Sequence, residues 1–454
     1  MKLDNFSLND SFEVSAYWWL PEAPEDKVPG TLDFSPSRGA VLTLQGTFNH
    51  PDLREIRRLF NDVGFEAERI YGEQADGQRI TVCDVFSNQI SDTCSLRCHL
   101  VLAGAHAIMG GSHEPADALF SFDNLEEWTC APFLQAERAS LPDRMAYSFS
   151  YEPLQLFSLE KTDICHELSL TMNTTGRLTR NDALFERRAH FRATFQVSEV
   201  AQILRFAGDV GQLLTIFMGE PANLCRLRYT LGPDTIDVFF QRVRAASSKI
   251  ITSPDMPFSL HDLGEQAGSL FSSWLTSMAL MRTVYSTFFS TLFNLPFIDT
   301  KFQALTQAIE GFHRRTCVGK YLEASEYSKV QDCLEKAIPN DIESGFRERL
   351  KNAIKYGNEF SLRRRLKDLI RGLTPKTREI LQIDEAFQSV VVEARNYYAH
   401  LDEDTKPGCI GDGKALYYLN QKLSALFLIL VPKTLGMTEN DARDGVIKRR
   451  RFSA

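Results

Sequence analysis

The sequence predicts an α+β protein of more than one domain, with a β-rich N-terminal part followed by an all-helical C-terminal part. Three observations carry this reading. At 454 residues the chain is about three times a typical 150-residue domain. Apolar alternation with a period of two dominates up to residue 245. Beyond a stretch of Ser, Pro, Asp and Gly at 245–264, nearly every apolar pattern has helical spacing. A hydrophobic content of 43%, with 11% aromatic residues, buries a large core and excludes wholesale disorder.

The N-terminus carries Asp4 and Asn5 where an export signal needs a basic region and an apolar run, so a cytoplasmic protein is expected. Trp18-Trp19 reads as core in preference to a base-stacking platform. Ala40, Leu42 and Leu44 alternate with Val41, Thr43 and Gln45 after the turn Ser35-Pro36-Ser37-Arg38-Gly39, and Asp76-Gly77 separates β-rich runs at 68–72 and 79–86. Both patterns predict hairpins. Further strands are expected at 96–102, 146–151, 166–172, 190–197, 225–231 and 235–240. One helix interrupts them, with Ser198 as N-cap, Glu199 in its first turn and Val200, Ile203, Leu204, Ala207, Val210, Leu213, Leu214 and Phe217 at helical spacing.

Nine cysteines with neither an export signal nor a repeated close spacing read as reduced thiols. Cys94, Cys98 and His99, with His106 and His113 beyond, come nearest to a metal signature. Strand alternation puts Cys98 on the apolar face and His99 on the other, so neither a metal nor a cofactor is expected.

The composition divides the chain into a β-rich domain at 1–245, a linker at 246–261, a helical domain at 262–440 and a basic tail at 441–454. In the helical part, Phe302, Leu305, Ile309 and Phe312 mark one amphipathic helix. Leu362, Leu366, Leu369, Ile370 and Leu373 mark another, leaving Arg363, Arg364, Lys367 and Arg371 together on the solvent side, as an RNA track or as a solvated face in equal measure. Helices are also expected at 383–400 and 415–435. The apolar run at 423–431 is well short of the roughly 20 residues of a membrane span, so it reads as a core helix and no membrane partner is expected. A net charge of −8 excludes a nonspecific DNA-coating protein. It leaves room for a local basic patch, and 362–378 carries seven basic residues against the single acid Asp368.

Near the end of the third of these helices stands Glu393-Ala394-Arg395-Asn396-Tyr397-Tyr398-Ala399-His400. At about 100° per residue, Asn396 and His400 share a face one turn apart, whereas Arg395 converges on them by its length. Histidine exchanges a proton near neutral pH, arginine holds a phosphoryl oxygen bidentately, and asparagine orients either neighbour. That is a minimal kit for cleaving RNA without a metal. Spacing alone is weak, since an Arg five places before a His arises by chance about once in a chain of this composition. Glu310, His313 and Arg314, at helical spacing, fit a surface ion-pair cluster and a role beside the pair equally well. Tyr397 and Tyr398 are expected to pack inside the bundle.

Arg395-Asn396 with His400 resembles the Arg-Asn-x-x-x-His signature of HEPN domains. The run at 301–314 and the helix running into Leu435-Gly436-Met437 resemble the ApeA-like HEPN subfamily. Phe120-Ser121-Phe122-Asp123 with Leu125 and Trp128, and the helix 200–219 followed by a strand, resemble the ApeA N-terminal domain. The resemblance spans residues 10 to 440. It implies a HEPN endoribonuclease of bacterial antiphage defence that stops growth of the infected cell by cutting RNA, with tRNA the favoured class. It implies His400 as the proton-transfer residue, Arg395 as the transition-state clamp and Asn396 as their orienter. It also implies a homodimer with facing motifs, and an N-terminal domain that takes a phage-derived trigger. The competing readings are a catalytically silent HEPN scaffold, binding nucleotide or a partner, and a pure infection sensor.

Overall fold

Alternation in the first hundred residues becomes strands with one buried face. In β1 (Phe12–Trp19), Phe12, Val14, Ala16 and Trp18 point inward while Glu13, Ser15 and Tyr17 face out. This computed structural model describes residues 3–48, 65–87, 93–106, 116–130, 135–141, 144–150, 154–160, 165–178, 183–196, 199–242, 251–293, 297–384, 386–400 and 413–448. Contacts divide the chain into two units, Met1–Thr276 and Ser277–Ala454.

In the first unit, β1, β2 (Val28–Ser35), β3 (Gly39–Gln45), β4 (Phe65–Glu73), β5 (Arg79–Ser87) and β6 (Thr93–Ala103) pair antiparallel in the order β6-β3-β2-β1-β4-β5. β5 pairs back onto β6 and closes a six-stranded barrel, which removes the exposed edges of the sheet. Both expected hairpins are present, with Gly39 and Gly77 at positive φ in their turns. Trp18 fills the interior and donates its indole N–H to the Gly30 carbonyl at 3.2 Å. Gly72 is required beside it, because a Cβ there would stand 2.4 Å from the Trp18 ring. Cys98 is buried in this barrel, its thiol pushed up to about 12 by burial, and His99 lies on the exposed face as the alternation predicts.

The sheet continues from β6 through β14 (Asp234–Phe240), β13 (Leu224–Leu231), β7 (Ala116–Phe122), β12 (Ala183–Phe195), β11 (Cys165–Leu178) and β10 (Leu154–Glu160). β8 (Gln135–Leu141) and β9 (Arg144–Ser150) form a separate two-stranded sheet. A short helix α1 (Leu125–Thr129) follows β7, and α2 (Val200–Met218) packs Phe206 against Phe120 and Phe195 of the open sheet. Each such buried apolar side chain contributes about 1.5–3 kcal/mol. Ser198 lies outside the described residues, and the N-cap position is Glu199, without a side-chain capping bond.

Residues 251–276 behave differently from the sequence expectation of a linker followed by the helical half. They pack with the first unit. Trp128 donates to the Phe258 carbonyl at 2.8 Å, Trp274 donates to the Asp209 carbonyl at 2.8 Å, and Phe271 meets Trp128, Phe191 and Phe217. The cause is the large apolar residues of this segment, Phe258 in an irregular stretch and Phe271 and Trp274 on one face of a helix, which cover α2. Helix α3 (Leu260–Leu263) and the start of α4 (Gln266–Phe293) belong to this covering; α4 runs across the division into the second unit.

The second unit is helical. α5 (Ile298–Thr316) packs on the central α11 (Gly413–Thr434), whose Phe427 stacks on Phe288 at 4.0 Å and meets Phe312 edge-on. α11 is long and apolar enough to cross a membrane, yet most of its apolar window is buried among the other helices. Between α5 and α8 (Leu362–Arg371) the chain makes a hairpin of α6 (Ala324–Lys336) and α7 (Ser344–Lys355), neither of which contains a buried residue. α9 (Pro375–Ile380), α10 (Phe387–His400) and α12 (Glu439–Lys448) complete the unit. Much of the expected basic tail is thus helix α12, with Ala442, Arg443 and Val446 buried; residues 449–454 lie outside the described residues.

Candidate active site

α10 carries the three candidate catalytic residues. Phe387, Val391, Ala394 and Tyr397 recur at helical spacing and are buried, which fixes the helix face against the bundle. Tyr398 is half-buried against Phe302 of α5, with ring centroids 5.8 Å apart, so both tyrosines pack as expected. The opposite side exposes Arg395, Asn396 and His400. Arg395 Nη1 donates to Asn396 Oδ1 at 3.4 Å, and His400 follows Asn396 by one turn on the same face. A guanidinium held by an amide, with an imidazole one turn on, can receive a phosphodiester from solvent: two donors for its oxygens and one proton carrier beside them. The acidic run Asp402-Glu403-Asp404 after the helix lies outside the described residues.

The basic helix α8 starts at Ser361, whose hydroxyl accepts from the Arg364 N–H. Of its four candidate RNA contacts, Arg363 and Arg371 are exposed and Arg364 and Lys367 are half-buried. Arg363 donates to Ser389 Oγ at 2.6 Å, and Arg364 lies over the Phe360 ring and 3.2 Å from Asp368. The structure therefore places α8 beside the start of α10. Ser389 and His400 are eleven residues apart, roughly 16 Å along the helix axis. Arg363 thus meets α10 near its start, whereas the Arg395/His400 pair stands at its other end.

Arg365 escaped the sequence reading as anything but one charge of a run. It is 2% exposed, donating from Nε to the Phe360 carbonyl at 2.9 Å and from Nη1 to His313 Nδ1 at 3.2 Å, with Glu359 at 3.6 Å. Its position, three residues after Leu362 and four before Leu369, is the signal that could have found it. His313 is also fully buried, so the expected surface cluster splits: Glu310 and Arg314 pair at 3.0 Å, Arg314 also pairs with Glu359, and His313 turns inward. Because Arg365 cannot give up its proton, His313 Nδ1 is the acceptor and its own proton sits on Nε2, 3.7 Å from Asp368. Burial, and next the charge of Arg365, push the His313 pKa down. Among the described residues no group of three or more His, Cys, Asp or Glu is arranged to hold a metal ion.

Two family models match the chain: ApeA N-terminal domain 1 over residues 13–274 and Apea-like HEPN over residues 304–441. No curated protein and no solved structure matches it. The second match contains Arg395, Asn396 and His400, and HEPN domains are generally RNase-type nucleases. With its barrel-bearing N-terminal unit followed by a helical bundle, the chain belongs to the ApeA-like HEPN family of antiphage defence proteins.

Proposed function

We propose that the chain is a metal-independent HEPN endoribonuclease that cuts host RNA, with tRNA the favoured class, when a phage-derived trigger engages the N-terminal domain. The observation that carries this reading is the exposed Arg395-Asn396-His400 face at the end of α10, inside the HEPN match. In this reaction His400 removes the proton from the ribose 2′-hydroxyl, and the 2′-oxygen attacks the adjacent phosphorus. Arg395 neutralises the crowded phosphorane and Asn396 holds its guanidinium in place. The bond to the 5′-oxygen breaks and that oxygen takes a proton, leaving a 2′,3′-cyclic phosphate and a 5′-hydroxyl. Arg363, Arg364, Lys367 and Arg371 supply a positive track for the flanking strand.

One chain presents one such histidine, whereas the reaction uses a base and an acid. A homodimer with facing motifs supplies the second from the partner subunit's His400. The helical hairpin offers surface for association, with Val330 40%, Leu334 45% and Phe346 49% exposed. The reaction belongs in the cytoplasm, where tRNA is found.

The test is cleavage of tRNA, with EDTA present, by the full chain purified from phage-infected cells so that the trigger is supplied. Products with 5′-hydroxyl and 2′,3′-cyclic phosphate ends are expected, as is loss of activity in both Arg395→Ala and His400→Ala with unchanged melting. A general acid or base is worth about 10²–10⁴ in rate. Activity that needs a metal, 5′-phosphate ends, or full turnover by His400→Ala would refute the reading. Mixed dimers with one His400→Ala protomer are expected to lose activity per wild-type subunit.

A further inference from the structure

A cleft of about 910 Å³ opens on the polar face of the open sheet in the first unit, well away in sequence from the nuclease motif. Its floor is built from β7, β12 and β13. Phe120, Phe122, Phe191 and Leu227 turn to the buried face of this sheet, so their neighbours Leu119, Ser121, His190, Arg226 and Arg228 line up on the other. Ser7 and Asp10 of the N-terminal segment form one rim; Asn173, Glu186 and Arg188 on the long β11–β12 ribbon form the opposite one.

The charges in this cleft are unevenly matched. Arg226 and Arg228 stand two residues apart on the same face of β13. Arg228 binds Asp237 with two hydrogen bonds, at 2.9 and 2.7 Å, whereas Arg226 reaches the same carboxylate only at 3.9 Å. Both guanidiniums also donate to the Asp4 carbonyl. Burial, and next the like charge of Arg228, disfavour the charged form of Arg226. Arg187 and Arg188 add two more guanidiniums, with Arg188 paired to Glu186 at 2.7 Å. Glu126, beside Arg188 at the Ala189 end of the cleft, is half-buried, accepts the Ala189 N–H at 2.9 Å and has its pKa pushed up by burial.

Guanidiniums interleaved with carboxylate acceptors over a partly apolar floor select a ligand that is anionic and also carries hydrogen-bond donors. We propose that this cleft binds an organic phosphate of nucleotide size, with Arg226, Arg228 and Arg188 on the phosphate and with Glu126 and Glu186 on hydroxyl or amino donors. Guanidiniums match phosphate geometry bidentately. The volume lies within the ordinary range of small-ligand clefts, roughly 300–1,000 Å³. An acidic peptide fits less well, because its carboxylates would face Glu126 and Glu186.

The test is calorimetric titration of the full chain with ATP, AMP, pyrophosphate, inorganic phosphate and poly-glutamate. The expected result is saturable binding of a nucleotide, weaker binding of pyrophosphate and phosphate, and none of poly-glutamate. Arg226→Gln is expected to weaken nucleotide binding by about 10- to 100-fold, the loss of one charge-assisted contact. Since Arg226 also holds the N-terminal segment, Ser121→Phe and Arg188→Gln serve as second variants: the first fills the floor without changing charge, the second removes a rim cation. The exposed Arg205→Gln is expected to change nothing. The proposal is overturned by an absence of binding at millimolar nucleotide, by binding that survives Arg226→Gln and Ser121→Phe alike, by equal affinity for phosphate and ATP, or by preference for poly-glutamate. None of these readouts depends on RNA cleavage, so the cleft and the nuclease reading fail independently.

Discussion

Replacing Arg365 with alanine is expected to destabilise the helical unit by about 3 kcal/mol. The guanidinium is 2% exposed and has three polar neighbours, the Phe360 carbonyl, His313 Nδ1 and the Glu359 carboxylate. Removing one member of a buried charged network costs about 3–5 kcal/mol. The lower end applies, because the Glu359 side chain is 33% exposed and keeps Arg314 as a partner. For a unit of 150–250 residues each kcal/mol moves the melting midpoint by about 2–4 °C, which gives a drop of about 6–12 °C. The assay is a thermal melt followed by the helical circular dichroism signal. Below the shifted transition, RNA cleavage per folded molecule is expected to stay normal, because this network sits at the Ser389 end of α10, roughly 16 Å from His400. Gly319→Ala is a companion, since its Cβ would stand 2.6 Å from Arg365 Nη1 and push the guanidinium off its partners. A midpoint shift under about 2 °C for Arg365→Ala, or lost cleavage in a protein that melts normally, would refute the assignment of Arg365 as an anchor.

Stability is expected to fall on acidification in two windows. His313 and His190 have depressed folded-state pKa values, both through burial first, so the unfolded chain takes up protons that the folded one refuses as pH drops below about 6.5; melts at pH 7.5 and pH 6 read this, and a profile that flattens in part in His313→Gln and fully in the double variant with His190→Gln is the check. Glu439 is opposed by its burial, yet Lys433, at 2.8 Å, and the Thr374 N–H, at 2.7 Å, hold it at about 2, so its contribution is present above about pH 4.5 and is lost as pH falls toward 2. Glu439→Gln is accordingly expected to cost about 2 kcal/mol at pH 7, read by denaturant titration, and less than about 0.5 kcal/mol at pH 2. Thiol labelling of the native chain is expected to reach Cys130, Cys317 and Cys333 and to spare Cys83, Cys98 and Cys165, whose pKa values burial raises to about 12, 12 and 11; mass spectrometry of the labelled peptides decides.

The hairpins of the barrel are legible in the sequence because alternation and turn glycines are local signals. Closure is not: the return of β5 onto β6, and the use of the far half of β6 by β14, are non-local pairings that no window of sequence contains. The same limit hid the packing of 251–276: Phe271 and Trp274 lie on the apolar stripe of a helix, but their partners Trp128, Asp209 and Phe217 are far away in sequence. Arg365 was obscured by a different rule. A run of seven basic residues reads as a solvated face, yet the apolar stripe Leu362, Leu366, Leu369 passes through Arg365 and outweighs the expectation that a charge points outward.

The Arg-Asn-x-x-x-His motif was legible for the opposite reason. Arg395, Asn396 and His400 bear no packing duty; Val391, Ala394 and Tyr397 hold the helix, so the remaining face is free to be chosen for chemistry. A face so exposed leaves its own histidine in water, where a phosphodiester gains little from a lone guanidinium because the effective dielectric is high. Excluding that water takes a second surface laid over the end of α10. In the proposed homodimer a facing copy of the same helix would supply the covering and the second proton carrier in one step, which is the physical argument for linking the proposed activity to assembly and for seeking its control in whatever brings two such faces together.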